Sequence, residues 1–82
     1  KMLDKNTMLT SGEIEIDTIN EILKSDIPIG EDYSTLSGLL HDKLKDIPKQ
    51  GDRIIIDSVK FIVEEVTNNQ ATRIKIEKMP ST

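Results

Sequence analysis

Apolar residues recur along this chain with two different periods, and the change of period divides it into a helical middle and a β-rich end. Met8-Leu9-Thr10 reads as a short strand and Ser11-Gly12 as a turn. Glu13-Ile14-Glu15-Ile16 alternates polar and apolar, which predicts an extended segment with both isoleucines on one face. Ile19, Ile22 and Leu23 then fall at i, i+3 and i+4, so a helix over about 18–25 is predicted, with Asp17 as its N-cap. Pro28 forces Ile27 out of helical geometry and ends it. Leu36, Leu39, Leu40, Leu44 and Ile47 form a second helical stripe, with Ser34 as the predicted N-cap and Pro48 as the stop. Gly38 lies inside that stripe, where glycine costs about 1 kcal/mol relative to alanine, so a close approach of another backbone is expected there.

From Asp52 onward the texture is β. Arg53-Ile54-Ile55-Ile56 and Lys60-Phe61-Ile62-Val63 are β-branched or aromatic runs, separated by a break at Asp57-Ser58-Val59. Glu64-Glu65-Val66 interrupts strict alternation and suggests a bulge. Thr67-Asn68-Asn69-Gln70 is a turn, after which residues 72–78 alternate with Ile74 and Ile76 inward. The expected architecture is α+β: two helices packed on one face of a small, mainly antiparallel sheet, in the order β-α-α-β-β-β. Residues 1–6 are expected as a flexible lead, 7–78 as a single domain and 79–82 as a tail.

Charge and composition narrow the chemistry. The net charge of −4 is unevenly spread, because segment 13–32 holds seven acids and one base. Lys43, Lys45 and Lys49 lie among Asp42 and Asp46, and the only aromatics are Tyr33 and Phe61, so nucleic-acid binding is not expected. Without cysteine the chain has no disulfide, thiolate metal site or thiol nucleophile. Its longest apolar run is Ile54-Ile55-Ile56, far below the roughly 20 residues of a spanning helix.

No reactive constellation emerges. His41 is the only histidine and lies off the leucine stripe, as a surface residue would. Asp4 to Glu15 has the length of a calcium loop, but Met8 and Leu9 stand where an oxygen ligand and a glycine are needed. Glycine-rich phosphate loops are missing, and with them a nucleotide cofactor. Glu31-Asp32 and Glu64-Glu65 are adjacent carboxylate pairs. Of these, Glu31 and Asp32, within the acidic segment, are the better candidates for a weakly held divalent cation. Asp57-Ser58-Val59 resembles the Asp-Ser-Leu segment of acyl carrier proteins, with Ser58 as the attachment point. The β-branched residues after it argue against the helix that such a carrier needs.

One resemblance covers nearly the whole chain. The order Ile16-Asp17-x-Ile19-Asn20-Glu21-Ile22-Leu23, then Ile27-Pro28, Glu31-Asp32-Tyr33-x-Thr35-Leu36-x-Gly38-Leu39 and Ile47-Pro48-x-x-Gly51-Asp52 is similar to the transporter-associated domain. This domain, also called the CorC/HlyC C-terminal domain, belongs to magnesium/cobalt efflux and hemolysin-like bacterial membrane proteins. Phe61-x-Val63-x-x-Val66 and Arg73-Ile74-Lys75-Ile76 fit the same pattern. The resemblance implies a non-enzymatic accessory domain on the cytoplasmic side of the membrane, following a membrane-spanning region and paired CBS domains. Those domains are then its expected partners, with a homo-oligomer left open and no cofactor expected. Direct cation sensing by segment 13–32 is the rival expectation.

Overall fold

Two tight hairpins organise the C-terminal half. Asp57 and Ser58 both adopt positive φ (51° and 65°), as do Asn68 and Asn69 (53° and 65°). Such paired left-handed residues form the turn whose twist matches that of the flanking strands. In the computed structural model, which describes residues 1–79, they join Arg53–Ile56, Val59–Thr67 and Gln70–Lys78 into an antiparallel meander. The elements in chain order are β1 (Met2–Asp4), β2 (Thr7–Thr10), α1 (Ile16–Leu23), α2 (Leu36–Leu44), β3 (Arg53–Ile56), β4 (Val59–Thr67) and β5 (Gln70–Lys78). Strand β2 pairs with β5, so the antiparallel sheet has the order β1-β2-β5-β4-β3. The α+β class and the two-helix arrangement are as expected, with one strand added. Residues Met2–Asp4, expected within a flexible lead, form the edge strand β1. The Asp4 carboxylate accepts the Asn6 N–H at 2.7 Å and turns the chain back onto β2.

One face of the sheet meets the helices. Met8, Val59, Phe61, Val63, Ala71, Ile74 and Ile76 from the strands pack with Ile16, Ile19, Leu23, Leu36, Leu39 and Leu40 from the helices. Beyond Val63 the β4–β5 register shifts twice, at the expected bulge, and brings Val66 opposite Ala71. Val59, expected in the hairpin break, instead begins β4 fully buried, because the turn needs only two residues.

Both helix starts fall away from their predicted caps. Helix α1 begins two residues early, at Ile16, behind Glu15, whose side chain makes no capping bond. The Ile16 N–H instead donates to the Ser34 carbonyl at 2.9 Å, so a tertiary bond does the work expected of Asp17. Asp17 sits in the first turn, where a carboxylate still favours the helix dipole. Helix α2 is capped by Thr35, not Ser34: Thr35 Oγ1 accepts the Gly38 N–H at 3.3 Å. The Leu36 and Ser37 N–H groups donate to the Ile14 and Gly12 carbonyls at 2.9 and 2.8 Å. Segment 12–16 therefore serves as a cap for α2; of the predicted extended run, only Glu15 forms a bridge, with Thr35. Helix α2 ends at Leu44 through Lys45 in the left-handed region (φ 58°), which leaves Ile47 exposed and outside the stripe. Of the residues 79–82 expected as a tail, Met79 lies beyond β5 and Pro80–Thr82 lie outside the described residues.

Candidate functional site

The fold leaves most of the sheet face opposite the helices uncovered. Cross-strand register aligns Ile55, Lys60, Glu77 and Thr7 in one row, and Arg53, Ile62, Lys75 and Leu9 in the next. Ile55 is 60% exposed, the most exposed large apolar side chain among the described residues. Charges of both signs lie on the same face. Lys60 Nζ lies 3.9 Å from Glu77, and Arg73 lies 3.5 Å from Glu64 and 3.9 Å from Glu65. Thr72 Oγ1 also donates to Glu65 at 2.8 Å. Exposed pairs of this kind contribute roughly 0–1 kcal/mol each, so they shape the surface more than they hold the fold. Glu64 and Glu65, adjacent in sequence, are thereby committed to Arg73 instead of converging on a cation.

The connection between the helices forms a second surface. Its anchor is Asn20, half-buried on α1, whose Oδ1 accepts from Ile27 N–H at 2.7 Å and from Ser25 Oγ at 2.9 Å. Asn20 Nδ2 donates to the Ile27 carbonyl at 2.9 Å, completing a clamp on the chain before Pro28. The sequence names Asn20 only within the family motif and gives it no role; its signal was a polar residue directly after the buried Ile19 and three positions before Leu23. Farther along, Tyr33 lies across both Gly30 and Gly38. A Cβ at Gly38 would overlap the Tyr33 Cβ, and one at Gly30 would meet the Tyr33 ring. The close approach expected at Gly38 is therefore present, but it is made by a side chain.

Glu31 and Asp32 are exposed in this connection, lining a shallow depression with Ile29, Tyr33, Ser34 and Thr35. Among the described residues no group of three or more acidic, histidine or cysteine side chains converges, so the two carboxylates have no third partner there. His41 is exposed on α2. Ser58 occupies the β3–β4 turn with its carbonyl accepting the Met79 N–H at 2.8 Å. It does not open a helix, so the arrangement an acyl carrier requires is not formed. One carboxyl is displaced from its ordinary range: the Ile47 N–H, then Lys49, hold Asp46 low, on an exposed loop. No helix among the described residues is long and apolar enough to cross a membrane.

Comparison with known proteins places this geometry. A family model described as the transporter associated domain, CorC/HlyC, matches residues 1–80. The transporter associated domain from Nitrosomonas europaea superposes with a TM-score of 0.84 at 26% identity, over 96% of this chain and 94% of that one. A region associated with a putative Mg²⁺ and Co²⁺ transporter of Neisseria meningitidis gives 0.82 at 19% identity, over 95% of each chain. The corresponding domain of a Xylella fastidiosa hemolysin, solved in complex with Mg²⁺ and Mn²⁺, gives 0.80 at 16% identity, over 90% of this chain and 89% of that one. Among curated proteins there is no match. With a family model that spans the sheet, both helices and the connection between them, this chain belongs to the CorC/HlyC transporter-associated domain family.

Proposed function

We propose that this is a non-catalytic accessory domain of a bacterial divalent-cation efflux or hemolysin-like membrane protein. It works on the cytoplasmic side and modulates transport by touching neighbouring domains of the same protein. The observation that carries this reading is the extent of the family match, residues 1–80, which assigns nearly all the chain to a domain named for its association with transporters. The distribution of its side chains supports it: on the open sheet face Lys60 pairs with Glu77 and Arg73 with Glu64 and Glu65, and the same face exposes Ile55. A surface of that kind suits contact with another protein surface, where a charged rim surrounds apolar contacts. Deleting residues 7–78 from the full-length protein and following divalent-cation efflux tests the role. Altered transport or altered regulation is expected, and unchanged efflux under all ion conditions would remove it.

The Xylella domain solved with Mg²⁺ and Mn²⁺ favours a second reading, contact of Glu31 and Asp32 with a hydrated divalent cation. Two adjacent exposed carboxylates leave most of the coordination sphere to water, so such a contact is weak. Titrating the chain with Mg²⁺ and following its amide resonances decides the matter: shifts confined to the connection around Glu31 support it, and their absence at millimolar ion ends it.

A further inference from the structure

The sheet has two short edge strands, and only one adds irregular register and flanking charges against pairing with another strand. Strand β1 is three residues long, has an irregular register against β2, and stands beside Lys1, Asp4 and Lys5. Short length, charge and irregularity are the common ways of blunting an edge. Strand β3 is also short, at four residues, but Arg53-Ile54-Ile55-Ile56 pairs regularly with β4 and carries its one charge at the end. Its free hydrogen-bonding groups follow from the hairpin. The two-residue turn makes Ile56 and Val59 a pair that exchanges bonds, and alternation makes Ile54 and Phe61 the next. The series continues at Asp52, whose carbonyl accepts the Val63 N–H at 2.8 Å. Arg53 and Ile55 therefore direct their N–H and C=O groups outward, away from the sheet.

We infer that β3 is a self-association edge, pairing antiparallel with β3 of a second copy about a two-fold axis through Ile55. Two registers keep the helix-covered faces of both copies on the same side. Centring on Ile54 sets each Arg53 against an isoleucine of the other copy. Centring on Ile55 sets Ile55 against its counterpart and Arg53 opposite Asp57, where the hairpin turns, twice by symmetry. Neither Arg53 nor Asp57 takes part in an ion pair among the described residues, so both charges are free to meet their complements. The central apolar contact falls on Ile55, the most exposed large apolar side chain of the described surface. The result is one ten-stranded sheet whose two open faces are continuous. An interface of four-residue strands is smaller than a standard stable one, so this dimer forms at high local concentration. The inference concerns the domain itself and holds whether or not it modulates transport.

Sedimentation equilibrium of this chain up to millimolar concentration, paired with amide hydrogen exchange, tests it. Monomer–dimer association is expected, with protection of the Ile55 amide rising with concentration while that of exposed Ile22 on α1 stays constant. Arg53→Glu and Asp57→Lys should each weaken self-association about tenfold, since each sets like charges opposite one another. An equimolar mixture of the two variants should recover it, because every position 53 then faces an opposite charge at position 57. Strict monomer at millimolar concentration, or Ile55 protection that does not change with concentration, would overturn the proposal without recourse to any variant. A dimer indifferent to both substitutions, or a mixture no tighter than either variant alone, would overturn this register.

Discussion

The two faces of β4 are made from neighbouring residues and serve different ends. Val59, Phe61 and Val63 point into the helices at 0–1% exposure, whereas Lys60, Ile62 and Glu64 between them face outward and remain partly open. Burial of the first set contributes on the order of 1.5–3 kcal/mol per side chain, which is the scale of the fold's stability. The second set holds exposed ion pairs and half-covered apolar atoms that add little to folding. The difference teaches that in this small domain stability is concentrated on one face, which leaves the other free to vary with whatever it touches.

The sharpest way to break that contrast is to remove the same kind of side chain from each face. Phe61→Ala should cost about 3–5 kcal/mol in a urea unfolding series, most of the stability a domain of this size has. Ile62→Ala, one residue away, should cost under about 1 kcal/mol; equal losses would mean that the open face is as well packed as the core. Next in size is Gly38→Ala. Its better helix propensity is outweighed by the overlap with Tyr33, for a net loss of about 1–3 kcal/mol. Truncating Tyr33 in the same chain should recover part of the loss, which a double-mutant cycle would read. Asn20→Ala leaves the Ile27 N–H and carbonyl without their clamp and should cost about 1–3 kcal/mol, with faster amide exchange at Ser25–Ile27 and little change in the sheet. Ile55→Lys, on the open face, should change stability by no more than about 0.5 kcal/mol.

The smallest effect concerns acid. Because the Asp46 carboxyl is held below its ordinary value by the Ile47 N–H and then Lys49, its contribution is present above the unfolded aspartate pKa and lost as pH falls through the lowered folded value. Asp46→Asn should therefore lower stability by a small, constant amount from neutral pH to mild acid, with the difference from the unaltered chain closing in the strongly acidic limb of the unfolding profile. A difference that grows as the pH falls would contradict that sign.

How much of this was legible in the sequence varies with the physics involved. The meander was readable because its signals are local: β-branched runs, two-residue turns and a broken alternation at Glu64-Glu65-Val66. The core stripes of both helices were readable for the same reason. The helix caps were not, since Ile16 and Leu36 satisfy their N–H groups through bonds to Ser34 and Ile14, partners that only the tertiary fold brings near. Strand β1 was hidden because its residues pair through backbone alone and bury nothing. On the candidate surface, the charges could be counted, but the rows joining Ile55 to Lys60 and Ile62 to Lys75 depend on register, which a single strand does not encode. The Asn20 clamp combined both difficulties, reaching seven residues along the chain to Ile27 from inside a helix.

The account's central claim is that this domain acts through its open surface and not through chemistry of its own. The most direct test is divalent-cation efflux by a full-length transporter carrying the domain with Ile55→Lys and Lys75→Glu, two changes on the open face that leave the helix-covered core untouched. The account predicts that this folded variant alters transport in the same direction as deletion of residues 7–78. A variant that transports like the unaltered protein, while the deletion does not, would contradict it.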